Sequence, residues 1–141
     1  MKKPSLKAIK RKADQVFSEY IRRLNSDKSG HGMCVTCGTI KPWKELQCGH
    51  YYSRNNLGTR FHEDNAHIQC VGCNVFKKGN YTAYAAFMYN KFGVQKMEYL
   101  ESLSRKMIKL TVSDYQTLIS GWKQMMGKMN RVVGEDIREA G

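Results

Sequence analysis

Cys34-Val-Thr-Cys37 and Cys70-Val-Gly-Cys73 form two C-x2-C pairs. Thiolates are preferred ligands of tetrahedral zinc, and a C-x2-C turn brings two sulfurs to a common point, so two such turns complete a closed shell. A closed shell leaves no position for water, and the expected metal is therefore structural rather than catalytic. Gly38, after the first pair, and Gly72, inside the second, suit the tight backbone of a zinc knuckle. The segment between the pairs is longer than in a common zinc ribbon and has room for a loop and two strands. The fifth cysteine, Cys48, stands apart and reads as a small buried strand residue.

The loop between the knuckles and the residues just beyond carry a second chemistry. His50, Asn65 and Asn74 are drawn together if the second knuckle turns the chain back towards a strand ending near Asn65. A neutral histidine has an ordinary pKa near 6.5 and can deprotonate an attacking water. An asparagine oxygen can ligate a hard divalent ion, which stabilises charge on a scissile phosphate and its leaving oxygen. A second asparagine can hold the loop that aims the histidine. Arg54, Arg60, Lys77 and Lys78 are candidate phosphate contacts. The set suits phosphodiester hydrolysis. Each member also has a plainer reading: Asn74 as a helix cap, Asn65 as a turn residue, Glu63 and Asp64 as a solvated pair, and a histidine beside a zinc knuckle as a surface group.

These residues need elements to position them. Apolar residues Leu6, Ile9, Ala13, Phe17, Tyr20, Ile21 and Leu24 recur at steps of three and four, which predicts a helix over 5–25 with Ser5 as its N-cap. Residues 25–32 read as a loop. Short strands are expected near 45–51 and 65–69. Asn80 is placed to cap a helix to Phe92, with Gly93 as its stop. A further helix is expected from Val94 to about Lys109, with Met97, Leu100, Met107 and Ile108 inward. Ser113 and Gln116 suggest a capping box for a last helix, with Tyr115, Leu118, Ile119, Trp122, Met126, Met129 and Val133 on one face. Residues 134–141 read as a frayed polar tail. The Met and aromatic stripes read as core or subunit interface. The segments are thus 1–32, a basic helix and loop; 33–80, a zinc-centred core; and 81–141, a helical region.

The chain has 141 residues, which suits one small domain or a small domain with a helical extension. Lys and Arg number 24 against 12 Asp and Glu, a net charge of +12. Residues 1–30 hold nine bases, among them Lys10, Arg11 and Lys12, against three acids, and so carry +6 of that charge. This asymmetry points to a polyanion partner, nucleic acid first. The basic N-terminus lacks the apolar core of a signal peptide, and no apolar run is long enough to span a membrane. A cytoplasmic protein is expected, with no membrane partner.

The arrangement C-x2-C, Gly49-His50, Asn65, C-x2-C-Asn74 resembles the HNH, or ββα-metal, endonucleases built on a four-cysteine zinc site. More closely, it resembles the NinG/Rap recombination family of lambdoid phages. The resemblance runs from Cys34 through Gly49-His50-Tyr51, Arg60-Phe61, Glu63, Asn65, His67, Gln69-Cys70 and Cys73-Asn74 to Lys78-Gly79-Asn80, and more loosely to Gly93. It implies an α+β fold with a small ββα-metal core and flanking helices, and a structure-selective DNA endonuclease acting on branched intermediates such as Holliday junctions. It implies magnesium or manganese as the catalytic ion, with host cytoplasm as the setting. His50 then takes the general-base position, Asn74 a metal-ligand position, Asn65 the loop-orienting position, and His67 a further ligand or phosphate contact. Many HNH enzymes carry an acidic ligand just before the histidine, and Gly49 cannot serve. Glu63, Asp64, His67 or His50 itself must then complete the shell. Symmetric cleavage of a junction favours a homodimer. The alternatives are a non-catalytic zinc module that binds nucleic acid, and an HNH nuclease with another substrate.

Overall fold

The structure, a computed structural model, describes residues 2–140, with side chains for residues 2–130. Helix α1 (Leu6–Leu24) begins at the expected cap, where the Ser5 hydroxyl accepts the Ala8 N–H at 3.1 Å. Its stripe of Ile9, Ala13, Phe17, Tyr20 and Ile21 is buried, while the terminal Leu6 and Leu24 stay exposed.

Strands β1 (His31–Met33) and β2 (Ile40–Pro42) pair antiparallel, and Cys34 and Cys37 lie in their turn. No alternation of apolar residues marks this hairpin, since Met33 and Ile40 are both exposed. It takes over the last two residues of the expected loop. Strands β3 (Gln47–His50) and β4 (Ala66–Gln69) form the second antiparallel pair, in the expected regions. His50 lies opposite Ala66, Gly49 opposite His67 and Cys48 opposite Ile68. The short helix α2 (Leu57–Arg60) sits in the loop that joins them. After β4 the chain makes one wide helical turn over Gly72–Phe76, which holds Cys73 and Asn74.

Helix α3 (Tyr81–Ser104) breaks at Gly93, whose φ of 78° only glycine adopts readily, so the expected stop appears as a kink between two helical runs. Asn80 precedes it in a left-handed conformation and makes no capping bond. The second run ends at Ser104 rather than near Lys109. Met97 and Leu100 are buried as expected, but Met107 and Ile108 are exposed beyond the helix end. Helix α4 (Val112–Ala140) starts on a reciprocal cap set two residues before the expected pair. The Asp114 carboxylate accepts the Thr111 N–H at 2.8 Å, and the Thr111 hydroxyl accepts the Asp114 N–H at 3.1 Å. A carboxylate at that position also suits the positive end of the helix dipole, an advantage Gln116 lacks. Val133 and the 134–141 tail lie outside the residues with described side chains.

The largest apolar cluster joins α1 to α4, through Phe17, Tyr20, Ile21, Tyr115, Ile119 and Trp122, and takes in Ala66 of β4. A second cluster surrounds the cysteines, and a third lies under α3 around Tyr84, Met88, Met97 and Leu100. The β3–β4 hairpin is thus clamped between α1 on one face and α3 on the other. No helix among the described residues is long and apolar enough to cross a membrane.

Candidate metal centre and adjoining cleft

The turn of the β1–β2 hairpin and the turn after β4 bring the sulfurs of Cys34, Cys37, Cys70 and Cys73 within 4.8 Å of one another. Cys37 and Cys70 Sγ are 3.6 Å apart, close to the roughly 3.8 Å between sulfurs on a tetrahedral zinc. Polar hydrogens approach three of them. Thr36 Oγ1 lies 3.3 Å from Cys34 Sγ, Cys73 N–H donates to Cys70 Sγ at 3.4 Å, and Asn80 Nδ2 donates to Cys73 Sγ at 3.6 Å. Such donors stabilise thiolates, so the donor set fits a closed zinc shell. Behind them Gln69, fully buried, donates from Nε2 to Thr36 Oγ1 and to the Gly79 carbonyl. Cys48 is not part of this cluster.

On the other side of β3, a cleft of about 440 Å³ opens against α1. Asp14, Ser18 and Arg22 line it from α1, at successive i, i+4 positions on one helix face. Lys44, Gln47, Cys48 and His50 line it from the β3 segment, and Arg54 and Asn74 complete the polar lining. His50 and Asn74 therefore share one cavity. A larger groove of about 880 Å³ between α1 and α4 contains Lys12 and Lys123 but no group suited to acid–base chemistry at neutral pH.

His50 is held in one orientation. Its Nε2 lies 2.9 Å from the Arg60 carbonyl, which can only accept, so Nε2 carries the proton and Nδ1 is left as an acceptor. Phe17 packs against its ring. Burial lowers its pKa to about 4, opposed by the Arg60 carbonyl and Asp14 and aided by the Arg54 charge, so the imidazole is neutral at pH 7. Burial also pushes the Cys48 thiol up to about 12 and keeps it protonated. Asn65 is fully buried and clamps the loop: Oδ1 accepts the Tyr52 N–H at 2.8 Å, and Nδ2 donates to the Tyr52 and Thr59 carbonyls at 3.1 Å each. Asn74 Nδ2 donates to Gln47 Oε1 at 2.7 Å.

Other residues singled out from sequence lie elsewhere. His67 is buried on the opposite face of the hairpin, with Nδ1 3.2 Å from the Tyr84 hydroxyl and its ring against Phe87. Glu63 accepts the Tyr20 hydroxyl at 2.5 Å, and Asp64 pairs with Lys96 at 2.8 Å, so neither lines the cleft. Arg60 is buried: its Nε and Nη2 reach both oxygens of Asp14, at 3.0 and 2.5 Å, and Nη1 donates to the Arg54 carbonyl. A guanidinium so engaged holds the loop against α1 rather than waiting for phosphate. Arg54 also reaches Asp14, at 3.0 Å, but is mostly exposed. Lys77, Lys78, Arg11 and Lys12 are exposed, while Lys10 is half-buried one turn before Asp14 on the same helix face. Asp14, Ser18, Arg22 and Lys44 belong to no motif. The available signal was the polar i, i+4 strip beside the apolar stripe of α1.

The sequence profile described as NinG, Bacteriophage Lambda NinG protein, matches residues 1–132. The protein named Protein ninG from Escherichia phage 933W is 32% identical over 93 residues, covering 65% of this chain and 44% of that protein. Those of Salmonella phage P22 and Escherichia phage lambda are each 31% identical over 93 residues, covering 65% of this chain and 43% of theirs. The matched region spans less than half the length of these curated relatives. No solved structure matches the chain.

Proposed function

The chain belongs to the NinG family of bacteriophage proteins, and on that premise we propose that it is a metal-dependent DNA endonuclease acting on branched recombination intermediates such as Holliday junctions. The observation that carries this reading is the fixed, neutral His50, with Nδ1 unprotonated, in a cleft shared with Asn74 and walled by Arg22, Lys44 and Arg54. His50 Nδ1 takes a proton from water, the water oxygen forms a bond to phosphorus, and the bond to the 3′ oxygen breaks. The arginines and the lysine hold the flanking phosphates. Asn65 keeps the loop, and so the His50 ring, in place.

Oxygen donors for a hard divalent ion are present in the cleft: the Asn74 amide oxygen and the Asp14 carboxylate. These two residues would hold magnesium or manganese, which when bound supplies stabilisation of charge on the phosphate and the leaving oxygen. Asp14 replaces Glu63, Asp64 and His67 as the candidate for the second ligand. The zinc assigned to the four cysteines is structural. Host cytoplasm, where the DNA lies, is the proposed setting, and two copies of the chain would cut the two strands of a junction.

One observation favours the non-catalytic alternative. Asp14 supplies the cleft's carboxylate among the described residues, and it is already paired with Arg54 and Arg60. Cleavage of a synthetic four-way junction, a flap and a linear duplex in magnesium or manganese decides between them. His50→Ala should lower the rate by about 10²–10⁴-fold while zinc content and DNA affinity hold. The unaltered rate should persist from pH 8 to 6, because His50 is neutral there. A His50→Ala protein that cuts at the parental rate, or a parent that cuts nothing, ends the nuclease reading.

A further inference from the structure

Trp43 stands in the short turn between β2 and β3, half-buried, with its backbone N–H donating to the Gly30 carbonyl. Three cations surround its indole. The Arg22 and Arg23 guanidinium carbons and Lys44 Nζ lie 5.1, 5.8 and 5.8 Å from the ring centroid. Arg22 is fixed there by bonds to the Ser18 and Trp43 carbonyls. None of the three makes a salt bridge to a carboxylate among the described residues, although Arg23 Nη2 donates to Asn130 Oδ1 and the Glu19 charge acts on Arg22. The indole also lines a groove of about 620 Å³, whose apolar wall is Leu24, Met125 and Met129 and whose polar lining is Arg23, Lys28 and Lys128 with Ser26, Asn130 and one carboxylate, Asp27. Met125 and Leu24 are each 42% exposed. The molecule's other tryptophan, Trp122, is buried in the core.

The groove adjoins the His50 cleft. Arg22 and Lys44 line the cleft and also approach the indole, so they form a ridge between the two cavities. A phosphate backbone crossing the cleft meets those cations first, and the next space it reaches has an apolar wall beside an aromatic ring, with Asp27 as its single acid among the described lining residues. That chemistry suits a nucleobase: a flat apolar face to stack, with phosphates beside fixed positive charge. Bases within continuous duplex have both faces covered by neighbours. Only a base released at a branch, bulge or flap can enter.

We propose that the Trp43 groove seats an unpaired nucleotide of the DNA substrate, with its base on the indole and its phosphates on Arg22, Arg23 and Lys44. This names the recognised feature of the substrate and rests on the nuclease reading for its role. A continuous duplex satisfies the cations but leaves the groove empty, so the groove supplies preference for interrupted DNA.

The test measures binding to the full zinc-loaded chain without magnesium or manganese. Tryptophan fluorescence is followed during titration with three duplexes of equal length: intact, with one unpaired thymidine, and with one unpaired abasic residue. The expected result is quenching with the thymidine bulge and affinity roughly tenfold above the intact duplex, with both gains lost for the abasic bulge. Trp43→Ala should abolish the preference and the quenching, while Trp43→Phe, which keeps an aromatic plane, retains most of the preference. Equal binding and quenching by the abasic and thymidine bulges overturns the proposal using the unaltered chain alone, and so does an undiminished preference in Trp43→Ala. Normal cleavage of branched DNA in such a case leaves the nuclease reading intact. Bulge-specific quenching by a chain that cuts nothing refutes the nuclease reading and leaves the seat standing.

Discussion

At Gly49 two demands meet. Its carbonyl accepts the Tyr84 hydroxyl at 2.6 Å, and a Cβ built on it would lie 1.9 Å from Gln69 Oε1. Gln69 cannot swing aside cheaply, because its Nε2 holds both Thr36 and Gly79 and it is fully buried. The absence of an acid before His50 thus has a steric cause. An aspartate there would break the Gln69–Thr36 contact behind Cys34 before it reached any ion. Gly49→Ala should cost about 1–3 kcal/mol and loosen zinc, and Gly49→Asp should cost more without raising affinity for manganese. Denaturant unfolding with zinc analysis checks this, and a Gly49→Asp protein of parental stability would refute it. The pairing of β3 with β4 explains His67. It lies opposite Gly49, one residue out of phase with His50, and so points to α3 rather than to the cleft. The Tyr84 hydroxyl gives its hydrogen to Gly49, so His67 Nδ1–H must donate to the Tyr84 oxygen.

The elements divide by how local their signals are. Helix α1, its Ser5 cap and the α4 face were legible because each depends on spacing within a few turns. That His50 and Asn74 share one cleft was legible because the strand carrying His50 lies between the cysteine pairs and Asn74 directly follows Cys73. Asp14 was not, since it reaches the cleft only through the packing of α1 on β3, and nothing near residue 14 states that packing. The β1–β2 hairpin was hidden for another reason: its strands bury almost no side chain, and the cysteines organise it. The start of α4 shows the finer limit. Ser113/Gln116 and Thr111/Asp114 both fit a capping pattern, and the carboxylate-bearing pair forms the cap. Asp114→Ala should therefore destabilise the protein by about 1 kcal/mol, whereas Gln116→Ala should change little. Thermal unfolding of the two variants separates them, and a larger loss from Gln116→Ala would overturn the assignment.

For the whole molecule, the β3–β4 hairpin is held by neutral histidines on both faces, His50 towards α1 and His67 towards α3. Burial lowers each pKa to about 4, with Lys91 adding to the effect at His67. Unfolded, each returns to about 6.5. Between those values the unfolded chain binds protons that the folded chain does not, so stability rises with pH. The contribution is complete above about pH 6.5 and is lost as pH falls towards 4, on the order of 3 kcal/mol per histidine. Protonation of the four clustered cysteines would act in the same direction at the proposed zinc site, because thiols release a metal that thiolates hold. The two sources are separable. His67→Gln keeps an amide donor for the Tyr84 oxygen but cannot titrate, and it leaves the cysteines unchanged. Denaturant unfolding at pH 7, 6 and 5 should therefore show stability falling with acid in the parent and falling less steeply in His67→Gln, by about one proton near pH 5. An unchanged slope would mean that His67 is already charged or exposed in the folded protein. Its place between Tyr84 and Phe87 would then be wrong, and with it the account of α3 closing the back of the hairpin that presents His50.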